Sequence, residues 1–279
     1  MDPRTARPPA QPAPARPSST VLMLREGAAG MEVFMVVRHH EIDFASGALV
    51  FPGGRLAEGD GDAEALSRCT GLGSVAADEA ALQVAAIREA FEECGVLLAR
   101  ERGANALIGA ERCRQLQHYR PRLDRGELRI GPVLREENLE LACEQLVPFA
   151  HWITPVIMPK RFDTRFYLAR MPAEQAELAT HDGREAVDSI WIRPVDALVR
   201  AAKGELAIIK PTLLNLSRLA FTTTVESTIA AAWAQPVVTV LPELVQTADG
   251  PRLRIPIEAG YRVAEFEPGA PPVRKPAGA

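Results

Sequence analysis

The chain has 279 residues, of which 47% are apolar, 24% charged and 5% aromatic. These fractions are typical of a globular protein and exclude a disordered, collagen-like or disulfide-rich chain. Lys and Arg together number 32 and Asp and Glu 36, so the net charge is −4, which argues against nucleic acid as a partner. No apolar run reaches the roughly 18 residues of a membrane-spanning helix. The N-terminus also lacks the apolar segment of a secretory signal, so we expect no membrane partner and a cytoplasmic location.

Both ends of the chain are rich in proline. Six prolines fall within residues 1–18, and four more, with two glycines, fall within residues 268–279. Such composition predicts extended, disordered tails over residues 1–18 and 267–279. One domain, residues 19–266, lies between them.

The first half of the domain predicts strands followed by a helix. Residues 21–25 and 32–38 are rich in β-branched and apolar side chains and predict a hairpin, and residues 49–51 predict a third strand. The polar segment 56–75 is typical of a loop. Asp78 is a suitable N-cap for a helix that runs to Cys94, and Gly95 is well placed to end it.

The second half predicts helices and strands in alternation. Residues 103–146 combine helix-like charge patterns with turn signals, and residues 161–170 alternate in the manner of a half-buried strand. A further strand covers residues 189–192. Helices are predicted over residues 194–202, 211–219 and 224–233. Strands, a helix and strands again indicate an α/β protein with a mixed sheet flanked by helices.

One short stretch, Arg88 to Val96, carries a cluster of acidic residues. On a helix, Glu89, Glu92 and Glu93 stand at i, i+3 and i+4, so that their carboxylates share one face. Like charges at this spacing repel each other, and Arg88 can pair with Glu92 four residues on. The cluster suits a hard divalent cation such as Mg²⁺ or Mn²⁺. Spacing alone leaves open a second interpretation, a solvated acidic face.

The same stretch resembles a known motif. Residues 88–96 match the second half of the Nudix box, and residues 51–54, Phe-Pro-Gly-Gly, resemble its glycine-rich opening turn. In the ordinary box the glycine precedes the arginine by fourteen residues, whereas Gly54 and Arg88 are 34 apart. Counting back eight residues from Arg88 reaches Ala80, so the first glutamate of the box has no counterpart in register. Glu79 and Asp78 are the candidate substitutes.

Two further motifs are similar to one branch of the Nudix superfamily. They are His151 to Pro155 with Pro159 to Tyr167, and Trp191 to Pro194. That branch contains the mammalian peroxisomal coenzyme A diphosphatase and its bacterial relatives, and its box carries a long insertion. The resemblance implies a Nudix-type α/β/α sandwich with a mixed sheet and helical insertions at about residues 56–77 and 100–148. It also allows a homodimer.

The resemblance implies an enzyme, a Nudix hydrolase that cleaves phosphorus-containing anhydrides with Mg²⁺ or Mn²⁺. The leading substrate is coenzyme A or acyl-CoA, cleaved to 3′,5′-ADP and (acyl-)4′-phosphopantetheine. Two alternatives stay open. One is a Nudix pyrophosphatase for another nucleotide, such as NADH or ADP-ribose, and the other is a non-catalytic Nudix module that binds a nucleotide.

Roles for the residues of the box follow from the resemblance. Glu92 and Glu93 correspond to the principal metal ligands, and Glu89 to a ligand or to a base for the attacking water. Arg88 corresponds to the residue that holds the carboxylates in place. Gly54 corresponds to a backbone contact with the metal.

Four residues outside the helix are weaker candidates, each with a structural alternative. Glu185 is a candidate base or a solvated turn carboxylate. Arg38 is a candidate ligand for a substrate phosphate or a solvated strand-end residue. Arg161 and Arg165 are candidates for the phosphates of coenzyme A, although an internal pairing with Asp163 on the same strand face is slightly favoured.

Overall fold

The structure is a computed structural model that describes residues 12–39 and 47–268. Within these ranges the chain forms fourteen β-strands and nine α-helices, numbered in chain order. The strands are β1 Ala15–Gly27, β2 Gly30–Arg38, β3 Leu49–Val50, β4 Gly53–Arg55, β5 Cys69–Thr70, β6 Ala99–Glu101, β7 Leu139–Ala142, β8 Val147–Ile153, β9 Arg161–Arg170, β10 Ala186–Ile192, β11 Thr239–Val240, β12 Glu243–Thr247, β13 Gly250–Arg254 and β14 Glu265–Phe266. The helices are α1 Ala63–Leu66, α2 Ala77–Cys94, α3 Ala110–Leu116, α4 Arg120–Asp124, α5 Ile130–Glu136, α6 Ala173–Ala176, α7 Pro194–Ala202, α8 Lys210–Leu219 and α9 Val225–Trp233.

An eight-stranded mixed sheet forms the centre of the protein. Its strand order is β10-β2-β1-β9-β8-β11, with β3 paired to β2 and β4 paired to β1. Strand β1 pairs in parallel with β9 from Ala15 to Leu24. Its other edge pairs with β4 at Ser18–Thr20 and with β2 from Leu24 to Gly27. The glycine turn that contains β4 is therefore fixed directly on the central strand.

The sheet is covered on both faces. Along β1, Val21 and Met23 join the hydrophobic core on the α2 side, whereas Leu22 and Leu24 join the core on the other side. Successive side chains of a strand point to opposite faces, so this alternation requires a layer on each side. Helices α2 to α5 contribute to the first core and α7 to α9 to the second. The α/β/α sandwich expected from the sequence is confirmed.

Strand β9 has the predicted bounds but not the predicted exposure. Residues 161–170 form the strand, yet Tyr167 and Ala169 are buried on one face, and Phe166 and Leu168 on the other. The expectation of a half-buried strand is wrong for this half of β9. Helices cover both faces there, which an alternating sequence does not reveal.

The first strand begins earlier in the sequence than the composition predicts. Residues 1–11 lie outside the described part of the chain, but Ala15 already begins β1 and pairs with Arg161. The Arg161 guanidinium also donates a hydrogen bond to the carbonyl of Ala13. Disorder was therefore the wrong prediction for residues 15–18, because the edge of β9 offers hydrogen bonds that fix this proline-containing segment. At the other end, residues 269–279 lie outside the described residues.

Helix α2 begins one residue before Asp78 and ends as predicted. Ala76 is its N-cap residue, so the predicted Asp78 cap is wrong. Asp78 lies in the first turn, where a carboxylate interacts favourably with the helix dipole. At the other end Gly95 has φ 72° and ψ 14°. This left-handed conformation is the one for which glycine is favoured after a helix.

The two insertions contain secondary structure of their own. The predicted loop 56–75 includes α1 and β5, so that prediction is wrong in part. Residues 100–148 include α3 to α5 and β7. Strands β5, β7 and β6 form a second sheet, in this order. The insertions are therefore built against each other as well as against α2.

The C-terminal part of the described chain packs on the second core. Thr224 caps α9 and pairs reciprocally with Ser227, while Val225 and Ala232 are buried. Strands β12, β13 and β14 form a third sheet. Among the described residues, none of the helices combines the length and apolarity needed to cross a bilayer.

Candidate active site

The acidic cluster lies in the C-terminal half of α2, where the helix crosses the central sheet. Glu92 and Glu93 are 7% and 8% exposed, and the side chain of Glu89 is 13% exposed. Ala90 and Phe91 on the same turns are fully buried in the core. The carboxylates are thus held at the edge of an apolar layer, and the interpretation of the cluster as a solvated acidic face is wrong.

Arg88 joins the carboxylates into one network. Its Nη1 donates to Glu89 Oε1 and to Glu92 Oε2, each at 2.9 Å. Its Nη2 donates to the carbonyl of Arg55 at 2.9 Å. Its other contact is bidentate, from Nε and Nη2 to the two oxygens of Asp60 at 2.8 and 3.0 Å. A buried guanidinium that is shared in this way fixes the orientation of the carboxylates around it.

Asp60 is the residue that sequence reasoning missed. It is 1% exposed, and its Oδ2 also accepts the backbone N–H of Ala57 at 2.7 Å. Counting back from Arg88 led to Ala80, but counting six residues forward from Gly54 reaches Asp60. The insertion therefore follows Asp60. That aspartate stands where the ordinary box has its first glutamate, and the forward count would have found it.

Glu79, the residue named as a substitute, lies elsewhere. Its carboxylate accepts a hydrogen bond from Tyr167 at 2.5 Å and one from Arg165 at 3.2 Å. It stands ten residues before Glu89 on α2, a separation of about 15 Å along a helix. Within the described residues, neither Glu79 nor Asp78 is hydrogen-bonded to Arg88. The prediction that one of them replaces the first glutamate of the box is therefore wrong.

The glycine turn packs directly against these carboxylates. The N–H of Gly53 donates to Glu93 Oε2 at 3.0 Å. A Cβ atom on Gly54 would lie 2.5 Å from Glu89 Oε1, closer than real contacts allow. Glycine at position 54 therefore lets the Glu89 carboxylate approach the backbone.

Burial raises the pKa of all three glutamates. For Glu92 it raises the pKa to about 8, against the lowering effect of Arg88, whose charge is shared with Glu89 and Asp60. The pKa of Glu93 is well above its usual range because of burial and of the Glu89 charge, and that of Glu89 is raised mainly by burial. Although burial alone would lower the pKa of Arg88, its acidic neighbours raise it. Additional positive charge beside these carboxylates would relieve their repulsion.

The chemistry of the donors fits a hard divalent cation. One oxygen of Glu92, Oε1, is buried and has no hydrogen-bond partner among the described residues. Among the described residues, no three carboxylate, histidine or cysteine side chains are grouped as a formed metal site. Glu89 and Glu92 contact Arg88, whereas Glu93 contacts Gly53. Carboxylate oxygens are the ligands that Mg²⁺ and Mn²⁺ favour. Glu92 Oε1 supplies a free one.

Glu185 and Arg38 lie near the cluster from the sheet side. The charge of Glu185 raises the pKa of Glu89 and Glu93, and the charge of Arg38 lowers that of Glu93. Strand β10 begins with Ala186, which pairs with Arg38 of β2. Glu185, the residue before Ala186, therefore lies next to Arg38. Glu185 is exposed, whereas Arg38 Nε is buried and has no hydrogen-bond partner in the described structure. Both are therefore brought to the candidate site.

Arg161 and Arg165 are not brought to the carboxylates. Arg161 donates to the carbonyls of Thr154 and Ala13 at 2.9 and 2.7 Å. Arg165 donates to Asp163 at 3.0 Å and to Glu79. The internal Arg–Asp pairing exists for Arg165. The pair lies beside a separate cavity of about 300 Å³ that Arg165, His151 and Thr239 help to line.

Comparisons with known proteins agree with this geometry. A family model described as the NUDT19 Nudix domain matches residues 65–219, more than half of the chain. An acyl-coenzyme A diphosphatase NUDT19 of Xenopus laevis is 25% identical over 227 residues, which cover 67% of this chain and 59% of that protein. The protein of the same name from Gallus gallus is 28% identical over 251 residues, covering 74% and 65%. The chain therefore spans less than two thirds of either relative.

One solved structure gives the fold directly. The crystal structure of a Nudix hydrolase from Alicyclobacillus acidocaldarius superposes with a TM-score of 0.63 at 27% sequence identity. The match covers 78% of this chain and 96% of the other.

Proposed function

Because the chain belongs to the Nudix family, in the group described by the NUDT19 Nudix domain, we propose that it hydrolyses the diphosphate linkage of coenzyme A or acyl-CoA. The products are 3′,5′-ADP and (acyl-)4′-phosphopantetheine. The observation that carries this proposal is the buried set Glu89, Glu92 and Glu93, which Arg88 clamps from one side and the Gly53–Gly54 turn contacts from the other. The names of the two curated relatives support the choice of substrate.

A divalent metal ion, Mg²⁺ or Mn²⁺, fits the carboxylates. Glu92 and Glu93 would hold it, with Glu89 and the backbone at Gly54 beside it. When bound, such an ion neutralises phosphate oxygens and makes water more acidic. The raised pKa values of the glutamates mean that the site gives up protons as the ion enters.

The protein's own residues orient the reactants. Arg88, itself held by Asp60, fixes the orientation of the Glu89 and Glu92 carboxylates. Arg38, with an unpaired buried N–H, would donate to a substrate phosphate. The exposed carboxylate of Glu185, whose charge acts on Glu89 and Glu93, would accept the proton of the attacking water. Its loop is held in place because Asp182 accepts the backbone N–H groups of residues 184, 185 and 186.

Product analysis tests the proposal. Purified protein is incubated with coenzyme A or an acyl-CoA and Mg²⁺ or Mn²⁺, and the products are resolved by chromatography. We expect 3′,5′-ADP from the wild type and none from Glu92→Gln. Glu111→Gln, on a side chain that is 75% exposed, is the matched control and should retain the wild-type rate. Faster turnover of NADH or ADP-ribose would reject coenzyme A as the substrate, and nucleotide binding without turnover would favour the non-catalytic alternative.

The location and assembly of the protein stay predictions from the sequence. We expect a cytoplasmic location, and the family resemblance allows a homodimer as well as a monomer. Fractionation of cells that express the chain tests the first, and light scattering after gel filtration tests the second.

A further inference from the structure

A second feature lies beside the carboxylates, a cavity of about 110 Å³ between the end of α2 and the start of α4. Glu92 lines it from α2, and Gln117 and Arg120 line it from the insertion. Asp182 and Arg184 line it from the loop that carries Glu185. The cavity has room for several water molecules but not for a nucleotide. A single phosphate group is of the right size.

Arg120 is hydrogen-bonded to the end of α2, but one of its three guanidinium nitrogen atoms has no partner among the described residues. Its Nε donates to the backbone carbonyl of Glu92 at 3.1 Å, and its Nη1 donates to Gln117 Oε1 at 2.9 Å. Its Nη2 is buried and has no hydrogen-bond partner among the described residues. Among the described residues, no carboxylate accepts a hydrogen bond from this guanidinium. A fixed cation with a spare N–H is suited to an anion.

Two buried polar atoms in the wall of this cavity lack a hydrogen-bond partner among the described residues. Glu92 Oε1 is a buried acceptor and Arg120 Nη2 a buried donor, and neither is satisfied by the described part of the protein. The other charged groups of the wall are occupied. Arg184 pairs with Asp124, and the Asp182 carboxylate accepts three backbone N–H groups. A phosphate group with its counter-cation supplies what both unsatisfied atoms lack.

We propose that Arg120 is a substrate-binding residue that donates from Nη2 to a phosphate oxygen of the diphosphate, while Glu92 Oε1 faces the accompanying cation. The proposal rests on the proposed function, because it adds a phosphate ligand to that site. It gives the insertion of residues 100–148 a role in recognition. The ligand class is a diphosphate carried with a divalent cation, whichever groups are esterified to it.

The test measures binding separately from turnover. Inorganic pyrophosphate with Mg²⁺ is titrated into the full chain by calorimetry, in the wild type and in Arg120→Ala, Arg120→Lys and Arg122→Ala. Arg122 is exposed on the same short helix and is the matched control. We expect the affinity to fall about tenfold or more in Arg120→Ala, as for a lost charge-assisted hydrogen bond. It should fall less in Arg120→Lys and remain unchanged in Arg122→Ala.

A structural variant separates binding from packing. Gln117→Ala removes the partner of Arg120 Nη1 but keeps the guanidinium, so pyrophosphate affinity should be largely retained. The affinity for Mn²⁺ alone, measured by electron paramagnetic resonance, should be the same in Arg120→Ala as in the wild type. An unchanged pyrophosphate affinity in Arg120→Ala, an equal loss in Gln117→Ala, or no binding by the wild type would overturn the proposal.

The two proposals fail in different ways. If the wild type binds pyrophosphate through Arg120 but hydrolyses no nucleotide, the inference about Arg120 stands and the proposed hydrolase activity fails. If coenzyme A is hydrolysed and Arg120→Ala binds pyrophosphate as the wild type does, the activity stands and the inference fails.

Discussion

Asp60 accepts two hydrogen bonds from Arg88, at 2.8 and 3.0 Å, across an insertion that separates them by 28 positions. The two side chains are 1% and 8% exposed. The contact therefore joins the glycine turn to the carboxylate helix although the intervening chain forms structures of its own. The Asp60–Arg88 pair therefore sets the position of the glycine turn relative to α2, whatever the length of the insertion between them.

Replacing Asp60 by Ala should destabilise the protein by about 3 kcal/mol, because removal of one partner leaves a buried charge incompletely paired. Arg88 would keep its hydrogen bonds to Glu89 and Glu92. The loss of stability should therefore lie at the lower end of the range for breaking a buried ion pair. Urea unfolding followed by circular dichroism measures it. Glu58→Ala is the control, since its pair with Arg129 is on the surface and should be worth about 0.5 kcal/mol or less. Equal effects from the two substitutions would contradict the prediction.

The two glycines of the turn should respond differently to alanine. Gly53 has φ +153°, and a Cβ there would lie 2.3 Å from the carbonyl of Ser19, so Gly53→Ala should cost about 2 kcal/mol or more in stability. The three atoms nearest to a Cβ on Gly54 belong to the Glu89 carboxylate, which is the end of a side chain and not backbone, so Gly54→Ala should fold. It should lower the rate of hydrolysis about a hundredfold by displacing that carboxylate.

Unfolding and turnover are measured on both alanine variants, with Gly61→Ala as the control. A Cβ on Gly61 would lie 3.4 Å from that of Ala81, a contact that small shifts accommodate. A wild-type rate in Gly54→Ala would mean that Glu89 does not need its place against the backbone.

The affinity for Mg²⁺ should rise with pH up to about 8. Burial first of all raises the pKa of Glu92 to about 8, so at lower pH the cation must displace a proton. Calorimetry in buffers of different ionisation enthalpy measures that proton, and Glu92→Gln should release fewer protons on binding Mg²⁺ than the wild type does. A pH-independent affinity between pH 6 and about 8 would be inconsistent with the raised pKa.

The same group makes the metal-free protein less stable at higher pH. The pKa of Glu92 is higher in the folded state than the roughly 4.3 of an unfolded glutamate, so the folded protein binds more protons. The stabilising contribution is complete below about pH 4 and is lost as the pH rises towards about 8. The pH dependence of urea unfolding should therefore be flatter in Glu92→Gln.

Glu185→Gln should lower the turnover number by about 10² to 10⁴ if its carboxylate accepts the proton of the attacking water. The substitution keeps the shape of the side chain and leaves the Asp182 contacts of the loop intact. Steady-state rates with coenzyme A check it, and the exposed Glu177→Gln serves as a control. Activity close to that of the wild type would remove Glu185 from the mechanism and leave Glu89 as the candidate base.

The sequence predicted the layers of the fold and the carboxylate helix, since these depend on local periodicity and on a motif without gaps. It did not reveal Asp60, because the count started from the wrong side of the insertion. The early start of β1 at Ala15 also escaped notice. That strand is held by hydrogen bonds to β9, where the partner of Ala15 is Arg161, 146 residues later in the sequence. A proline-rich composition does not indicate such a distant partner. Arg120 was missed because nothing in its own neighbourhood marks it.

Gly95 is subject to two independent constraints. It ends α2 with a positive φ, and a Cβ atom there would lie 2.7 Å from Gln117 Oε1 and 2.9 Å from Arg120 Nη1. A residue that tolerates the left-handed conformation, such as asparagine, would satisfy the first requirement and violate the second. Any larger residue at position 95 would therefore displace the ends of Gln117 and Arg120. In a chimaera that grafts this segment onto another Nudix scaffold, the residue that ends the recipient helix would set the positions of these two side chains.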